Sequence, residues 1–270
     1  SGGLQARSWL TLAFMIVGAV LAARHYGWWI DQPALAPVSL IREFDWRAGL
    51  LINGAIFLLI YLATVAWERR RNGGSCESCW NVEPVDARPR WLRGLWPLCW
   101  GALALAVLNF ATLWLAGHPW AIASAFAIWG IKLSNVVGLG LDVDFWEYGG
   151  IFAERLAAPV YRDSVGLMNI GLVGGALLAL LVSARPLDWR QGIGWRSVLA
   201  AAIGGSMMGY GATISYGCNI GAFFSGIVSG SLHGWLWLIA AVPGNIVGLY
   251  LRPAFGMRGF SLPGRARDME

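Results

Sequence analysis

The 270-residue chain is mostly apolar: 57% of its residues are hydrophobic, 13% are charged, and the mean hydropathy is +0.56. This balance excludes a water-soluble globular domain and indicates that lipid is the solvent for most of the surface. The net charge of +5 comes from arginines between apolar runs, with Lys132 as the single lysine, which fits a membrane protein better than a nucleic-acid-binding one.

Seven apolar stretches approach the length of a membrane crossing, which needs about 20 residues as an α-helix. The stretches are 8–23, 49–67, 94–117, 119–141, 165–184, 197–215 and 234–252. Helices are expected because lipid requires every peptide group to be satisfied within its own segment, and the sequence lacks the alternating strands of a membrane barrel. The sequence therefore predicts an all-α polytopic membrane protein without a separate soluble domain.

Two arginine-rich connections are predicted to face the cytoplasm. The connection 68–93 carries six arginines, and the connection 184–196 carries three. Three spans between them would place them on opposite sides of the membrane. Either the segment 119–141 is re-entrant, or the stretch 145–161 also enters the membrane, and the sequence does not choose between these alternatives.

The segment 204–234 is predicted to be a broken helix that returns to the side from which it came. It contains nine glycines, among them Gly205 and Gly209 at a spacing of four. This spacing allows helices to pack closely, while so many glycines together weaken a continuous helix. The span before this segment is expected to lead out of the cytoplasm, and the span after it to lead back to an arginine-bearing tail.

A short internal repeat links the two ends of the chain. The first copy reads Ser1-Gly2-Gly3-Leu4, Trp9-Leu10, Leu12 and Gly18, and the second reads Ser229-Gly230-Ser231-Leu232, Trp235-Leu236, Leu238 and Gly244. We therefore expect one transmembrane domain made of the remainder of a first repeat (1–67), a cytoplasmic loop (68–93), a second repeat (94–255) and a tail (256–270). Transporters built from repeats bind substrates near the midplane, at interrupted helices.

Cys218 lies in the predicted break between Gly217 and Gly221. A lone membrane cysteine is usually a small buried hydrophobe, but flanking glycines would expose backbone N–H groups and admit a substrate to the sulfur. A thiol can donate weakly to an anion or, as a thiolate, attack a sulfur atom. The candidate substrate-binding residues are Cys218, Tyr216, Gly217, Asn219, Gly221, Ser225 and Lys132.

Three further features carry alternative interpretations. Lys132 lies in an apolar run, where a cation near the route would favour an anion, or it extends from a helix end to the membrane surface. Cys76 and Cys79 form a possible redox pair, but no second ligand pair has metal spacing, so neither a metal nor a cofactor is predicted. Cys99 is expected to pack at a helix start.

Three stretches resemble the YeeE/YedE sulfur-transport family. The motif GYGATISYGCNIGAFFSG at 209–226 is followed by SLHGW at 231–235, and the stretches 109–133 and 168–176 carry further similarity, so that the likeness spans 96–255. The resemblance implies a multi-pass protein of the bacterial inner membrane, in which two inverted halves form an hourglass and thiosulfate passes embedded cysteines. Cys218 matches the motif cysteine of the second half.

The sequence departs from the family pattern in two ways. Thr213 stands where the family often has arginine, which removes one candidate anchor for the anion. The cysteine motif of the first half is not in this sequence, so the chain is expected to lack the N-terminal part of the first repeat. An intact pathway would then need residues upstream of Ser1.

The leading hypothesis is a transporter for thiosulfate or a related sulfur anion rather than an enzyme, since no acid, base and nucleophile accompany the cysteine. Sulfide, sulfite and selenium analogues remain alternative substrates. A second hypothesis is a membrane thiol relay that exchanges sulfur or electrons through Cys218 and the Cys76/Cys79 pair. A third is a scaffold whose loop arginines dock a cytoplasmic sulfur-carrier protein, although anionic lipid would explain these arginines equally well.

Overall fold

The computed structural model describes residues 6–72, 98–140, 151–182, 194–215 and 217–256. These ranges are mostly helical, and their β pairing is limited to one isolated bridge between Ser39 and Ser231. The α-helices are α1 (Ala6–Ile30), α2 (Leu40–Asn72), α3 (Leu98–Ala116), α4 (Ala123–Val136), α5 (Ile151–Ala157), α6 (Ser164–Val182), α7 (Trp195–Ile214), α8 (Ser225–Val228) and α9 (Leu232–Leu251). A π-helix, Asn219–Phe224, precedes α8, and two 3-10 turns, Val160–Arg162 and Arg252–Phe255, precede α6 and follow α9. The prediction of an all-α polytopic membrane protein is confirmed.

Six helical stretches of the described chain are long and apolar enough to cross a membrane. They are Arg7–Ile30, Leu40–Arg70, Cys99–Ala116, Ser164–Val182, Trp195–Val228 and Leu232–Phe255. The predicted span at 119–141 is not among them, because α4 contains only 14 residues. A helix of this length extends about 21 Å, against roughly 30 Å of hydrocarbon.

The helix α4 is buried inside the helix bundle and does not cross the membrane. Eight of its residues are buried, and five residues of α1 and α4 form one core cluster: Ala19, Ala23, Phe126, Ala127 and Ile131. His118, just after α3, has its Nε2 2.8 Å from Oγ of Ser164, the first residue of α6, so the end of α3 and the start of α6 are on the same side. Two crossings, α3 and α6, then separate the arginine-rich connections, which supports the re-entrant alternative for 119–141.

The helices α1 and α7 run in parallel with their backbones in contact. An added Cβ at Gly205 would lie 2.6 Å from the Thr11 carbonyl oxygen, and one at Gly209 would lie 1.9 Å from the Met15 carbonyl oxygen. From Thr11 to Met15 on α1, the contact moves from Gly205 to Gly209 on α7, so the two helices point in the same direction. Close helix packing is therefore the role of these two glycines.

The helices α7 and α9 run in opposite directions. An added Cβ at Gly256, just after α9, would lie 3.6 Å from Cδ of Arg196 at the start of α7. The segment between these helices therefore does not add a crossing of its own, as the sequence predicted. At the start of α9, the Leu40 N–H donates to Gly230 O at 2.8 Å, and the Leu232 N–H donates to Val38 O at 3.1 Å.

Candidate functional site

The chain breaks sharply after α7. Gly217 has a φ of 154°, in the region that favours glycine, and an added Cβ there would lie 2.5 Å from the Ala222 nitrogen. The turn therefore requires glycine. Cys218 follows directly and occupies the N-cap position of the π-helix.

The backbone at this break is hydrogen-bonded within the segment itself. Gly217 donates its N–H to Ala212 O at 2.9 Å, and its carbonyl accepts from Ser215 Oγ at 3.0 Å. The Cys218 carbonyl accepts from the N–H groups of Ala222 at 2.8 Å and Phe223 at 3.4 Å. A π-helix is a wide, rare turn that occurs often at functional sites.

The predicted substrate-binding residues around the break differ in exposure. Cys218 is a free, partly exposed thiol. Gly217 is buried, Gly221 is partly buried, and Asn219 is exposed. Tyr216 lies outside the described residues.

Ser225, which was also predicted to bind substrate, begins α8 at the end of the π-helix. Its side chain is buried, and its Oγ donates to the Trp120 carbonyl oxygen at 3.3 Å. On the other side of α8, Asn53 Nδ2 donates to Ile227 O at 3.3 Å, and Trp235 Nε1 donates to Asn53 Oδ1 at 3.0 Å. Polar contacts with two separate elements, the Trp120 segment and α2, thus hold α8, and Trp235 of α9 holds the Asn53 side chain in turn.

The non-helical linker 117–122 between α3 and α4 is held by three buried polar side chains. Asn109 Oδ1 accepts from the Trp120 N–H at 3.0 Å, and Asn169 Nδ2 donates to Ile122 O at 3.0 Å. Ser225 supplies the third bond. Non-helical backbone at membrane depth is tolerated where the protein supplies such partners. The two broken segments of the chain therefore meet where Ser225 contacts Trp120.

Lys132 lies at a different interface. Its Nζ donates to the Ala158 carbonyl oxygen just after α5, and no hydrogen bond within the described ranges joins it to the Cys218 segment. Beside it, Arg155 Nε donates to Asp163 Oδ1 at 2.7 Å in an ion pair whose carboxylate is 1% exposed. The Gly166 N–H donates to Asp163 Oδ2 at 2.9 Å, so this carboxylate also caps the start of α6.

Of the remaining cysteines, the structure describes Cys99. Cys76 and Cys79 lie outside the described residues, so their role as a redox pair stays a prediction. Cys99, expected to pack at a helix start, is disulfide-bonded. Sequence spacing alone does not show which cysteines approach each other, so this bond was not predicted.

Sequence reasoning missed the residues that hold the linker. Asn109, Trp120 and Asn169 were not predicted as site residues, yet they form or contact the junction of the two broken segments. The available signal was an isolated asparagine within each of two apolar runs, since a buried amide needs a partner.

Two broken segments that meet inside a bundle of membrane-length helices define a polytopic membrane protein with an architecture that transporters use. The family described as sulphur transport matches residues 1–247, and the chain belongs to that family. This finding confirms the resemblance given by the cysteine motif. Together with the six candidate spans and bacterial relatives, it supports a multi-pass bacterial membrane protein.

Two relatives are named as transporters. The chain is 32% identical over 158 residues to the probable transporter YedE of Escherichia coli (strain K12), a match that covers 58% of this chain and 38% of that protein. It is 36% identical over 80 residues to the thiosulfate transporter TsuA of Spirochaeta thermophila, covering 30% of this chain and 24% of that protein. The matches thus cover well under half the length of these relatives. No solved structure matches the chain.

Proposed function

We propose that this protein passes thiosulfate, or a related small sulfur-containing anion, through the bilayer beside Cys218. The observation that carries the proposal is a free thiol at the N-cap of a π-helix, in a break that only glycine can form. The similarity to a thiosulfate transporter supports the class of substrate, because the name describes that relative's cargo.

The chemistry of the break favours passage over reaction. A thiol can donate a weak hydrogen bond to the terminal sulfur of thiosulfate and release it unchanged. Attack by a thiolate would instead form a persulfide on Cys218 and release sulfite, and this reaction needs a base to remove the thiol proton. The segment 217–228 contains no charged residue and no histidine, so it supplies no such base.

The anion's charge would be stabilised mainly by backbone groups at the break. Thr213, which replaces the arginine that the family often carries, donates its hydroxyl to Gly209 O at 2.8 Å within its own helix. The first N–H groups of a helix carry a partial positive charge and suit an anion. The N–H groups that follow Cys218 would take this role.

Uptake of labelled thiosulfate by cells expressing the protein tests this proposal. We expect Cys218→Ala to abolish uptake and the double variant Cys76→Ala/Cys79→Ala to retain it, with equal amounts of each variant in the membrane. Loss of uptake in the loop double variant alone would favour the thiol relay. Normal uptake by both variants would favour the scaffold and contradict the proposal.

A further inference from the structure

The helix α4 begins inside the protein without a cap. Ala123 and Ala125 in its first turn are 6% and 0% exposed. The N-cap residue, Ile122, gives no side-chain hydrogen bond, and the first turn contains no acidic residue. Within the described ranges, no acceptor is found for the N–H groups of residues 123–125. Because the first N–H groups of a helix have no partner within the helix, α4 leaves a buried partial positive charge.

The indole of Trp120 adds a second donor that lacks an acceptor. Its Nε1 is buried and has no hydrogen-bond partner among the described residues, although both main-chain polar groups of Trp120 are bonded. An indole N–H can only donate, so its missing partner must be an acceptor. A buried donor without an acceptor is unfavourable and requires an explanation.

The charged side chains next to α4 also favour an anion. Arg155 Nη1 donates to Ser124 Oγ in the first turn at 3.3 Å, and Arg155 is paired with Asp163. Lys132, further along α4, is partly buried and adds a positive charge to this helix. Glu154, the neighbouring acidic residue on α5, is exposed.

Asn169 adds a buried acceptor next to these donors. Its side chain is 2% exposed, and its Nδ2 donates to the carbonyl of Ile122, the N-cap residue of α4. Its Oδ1 has no partner among the described residues. A water molecule can donate to this Oδ1, and it can accompany an anion that accepts from the neighbouring N–H groups.

We infer that Trp120 and the N-terminus of α4 form a second substrate-contacting site, which takes the oxygen atoms of a sulfur oxyanion. This inference rests on the proposed function and adds a contact to it. Ser225 ties this site to the Cys218 segment through the Trp120 carbonyl. N–H groups bind the oxygens of the anion, while the thiol of Cys218 is left to contact the terminal sulfur.

The substitution Trp120→Phe tests the indole contact, because it removes the N–H and keeps an aromatic ring. We expect the half-saturating concentration of thiosulfate, measured with purified protein in liposomes, to rise about tenfold, the effect of losing one hydrogen bond to a charged ligand. Trp120→His keeps a ring N–H and should restore part of the affinity. Trp114→Phe is the matched control at a position that is 81% exposed, and it should behave like the wild type.

The substitution Ser124→Asp tests the helix end without removing the tryptophan. A carboxylate in the first turn favours the start of α4 and can pair with Arg155, so this variant should fold. It should nevertheless repel an anion from the same position. We expect thiosulfate to raise the melting temperature of the wild type and to leave that of Ser124→Asp unchanged, with reduced uptake by the variant.

The outcomes separate this inference from the proposed function. Normal transport by both Trp120→Phe and Ser124→Asp, with uptake abolished by Cys218→Ala, would overturn the second site and leave the proposed function intact. Normal uptake by Cys218→Ala would contradict the proposed function itself. If Trp120→Phe does not accumulate as folded protein, Ser124→Asp decides the question, and transport by it at the wild-type rate would overturn the inference.

Discussion

The two broken segments of this protein satisfy their backbones in opposite ways. The linker 117–122 depends on other elements, because Asn109 of α3, Asn169 of α6 and Ser225 of α8 all bind its main chain. The break at Gly217 depends on its own neighbours, since the bonds of its described residues, which leave out Tyr216, stay within residues 212–223. The linker is therefore anchored by tertiary hydrogen bonds, and the described residues of the break are held by local hydrogen bonds.

This difference indicates which segment can change shape at low cost. Moving the linker would expose buried amide groups without partners, which is unfavourable in a membrane. Rearranging the turns around Cys218 would exchange local hydrogen bonds, as α-helical and π-helical turns of the same chain do. We therefore expect the Cys218 segment to adjust as an anion passes while the linker stays fixed.

The largest loss of stability is expected from Gly217→Ala, which alters the break before Cys218. The new Cβ would lie 2.5 Å from the Ala222 nitrogen at a φ of 154°, so the free energy of unfolding should fall by about 2–4 kcal/mol. Denaturant titration of the purified protein measures this change. The control is Gly211→Ala on α7, where an added Cβ meets no described atom within 4 Å and the stability should be unchanged or slightly higher.

Equal stability of these two variants would contradict the geometry of the break. A folded Gly217→Ala protein with normal uptake would show that the sharp turn before Cys218 is dispensable. Either result would remove the contrast between the two segments.

A smaller effect is expected from Asn109→Leu, which removes one anchor of the linker. The Trp120 N–H would lose its acceptor, and this should lower the free energy of unfolding by about 1–3 kcal/mol. Amide exchange within residues 117–122 should also become faster, as measured by mass spectrometry. Asn245→Leu is the control, since Asn245 is exposed and its Nδ2 bonds only to Ala241 O, one turn earlier in its own helix, among the described residues. Unchanged exchange in the linker would show that Asn109 does not anchor it.

The helices were largely predictable, and the exception has a physical cause. Hydropathy finds apolar runs of membrane length, and this identified six candidate spans. It failed at 119–141 because it does not distinguish a side chain that faces lipid from one that faces protein. Phe126 and Ile128 are apolar but are buried in protein. The segment also does not begin as a helix, because a turn with Gly117 at a φ of 73° and Pro119 separates α3 from α4. The division into two repeats and the side on which each loop lies remain predictions.

The candidate site was predictable only in part. The density of glycines located the break, since a φ like that of Gly217 restricts the residue type. The partners of Asn109, Asn169 and Ser225 were not predictable, because each bond joins elements that only the packed structure brings together. Lys132 was selected for its charge alone, and the structure gives that charge a backbone partner in Ala158.

Chemical modification of Cys218 tests the central claim most directly. A negatively charged, membrane-impermeant maleimide is applied to the protein in liposomes, and mass spectrometry quantifies the modified Cys218 peptide. A soluble thiol peptide in the same sample corrects for reagent consumed by thiosulfate. We expect the reagent to modify Cys218 and thiosulfate to slow this reaction but not that of the peptide. Modification by an uncharged, lipid-soluble maleimide alone, with no protection by thiosulfate, would contradict a route for anions beside this thiol.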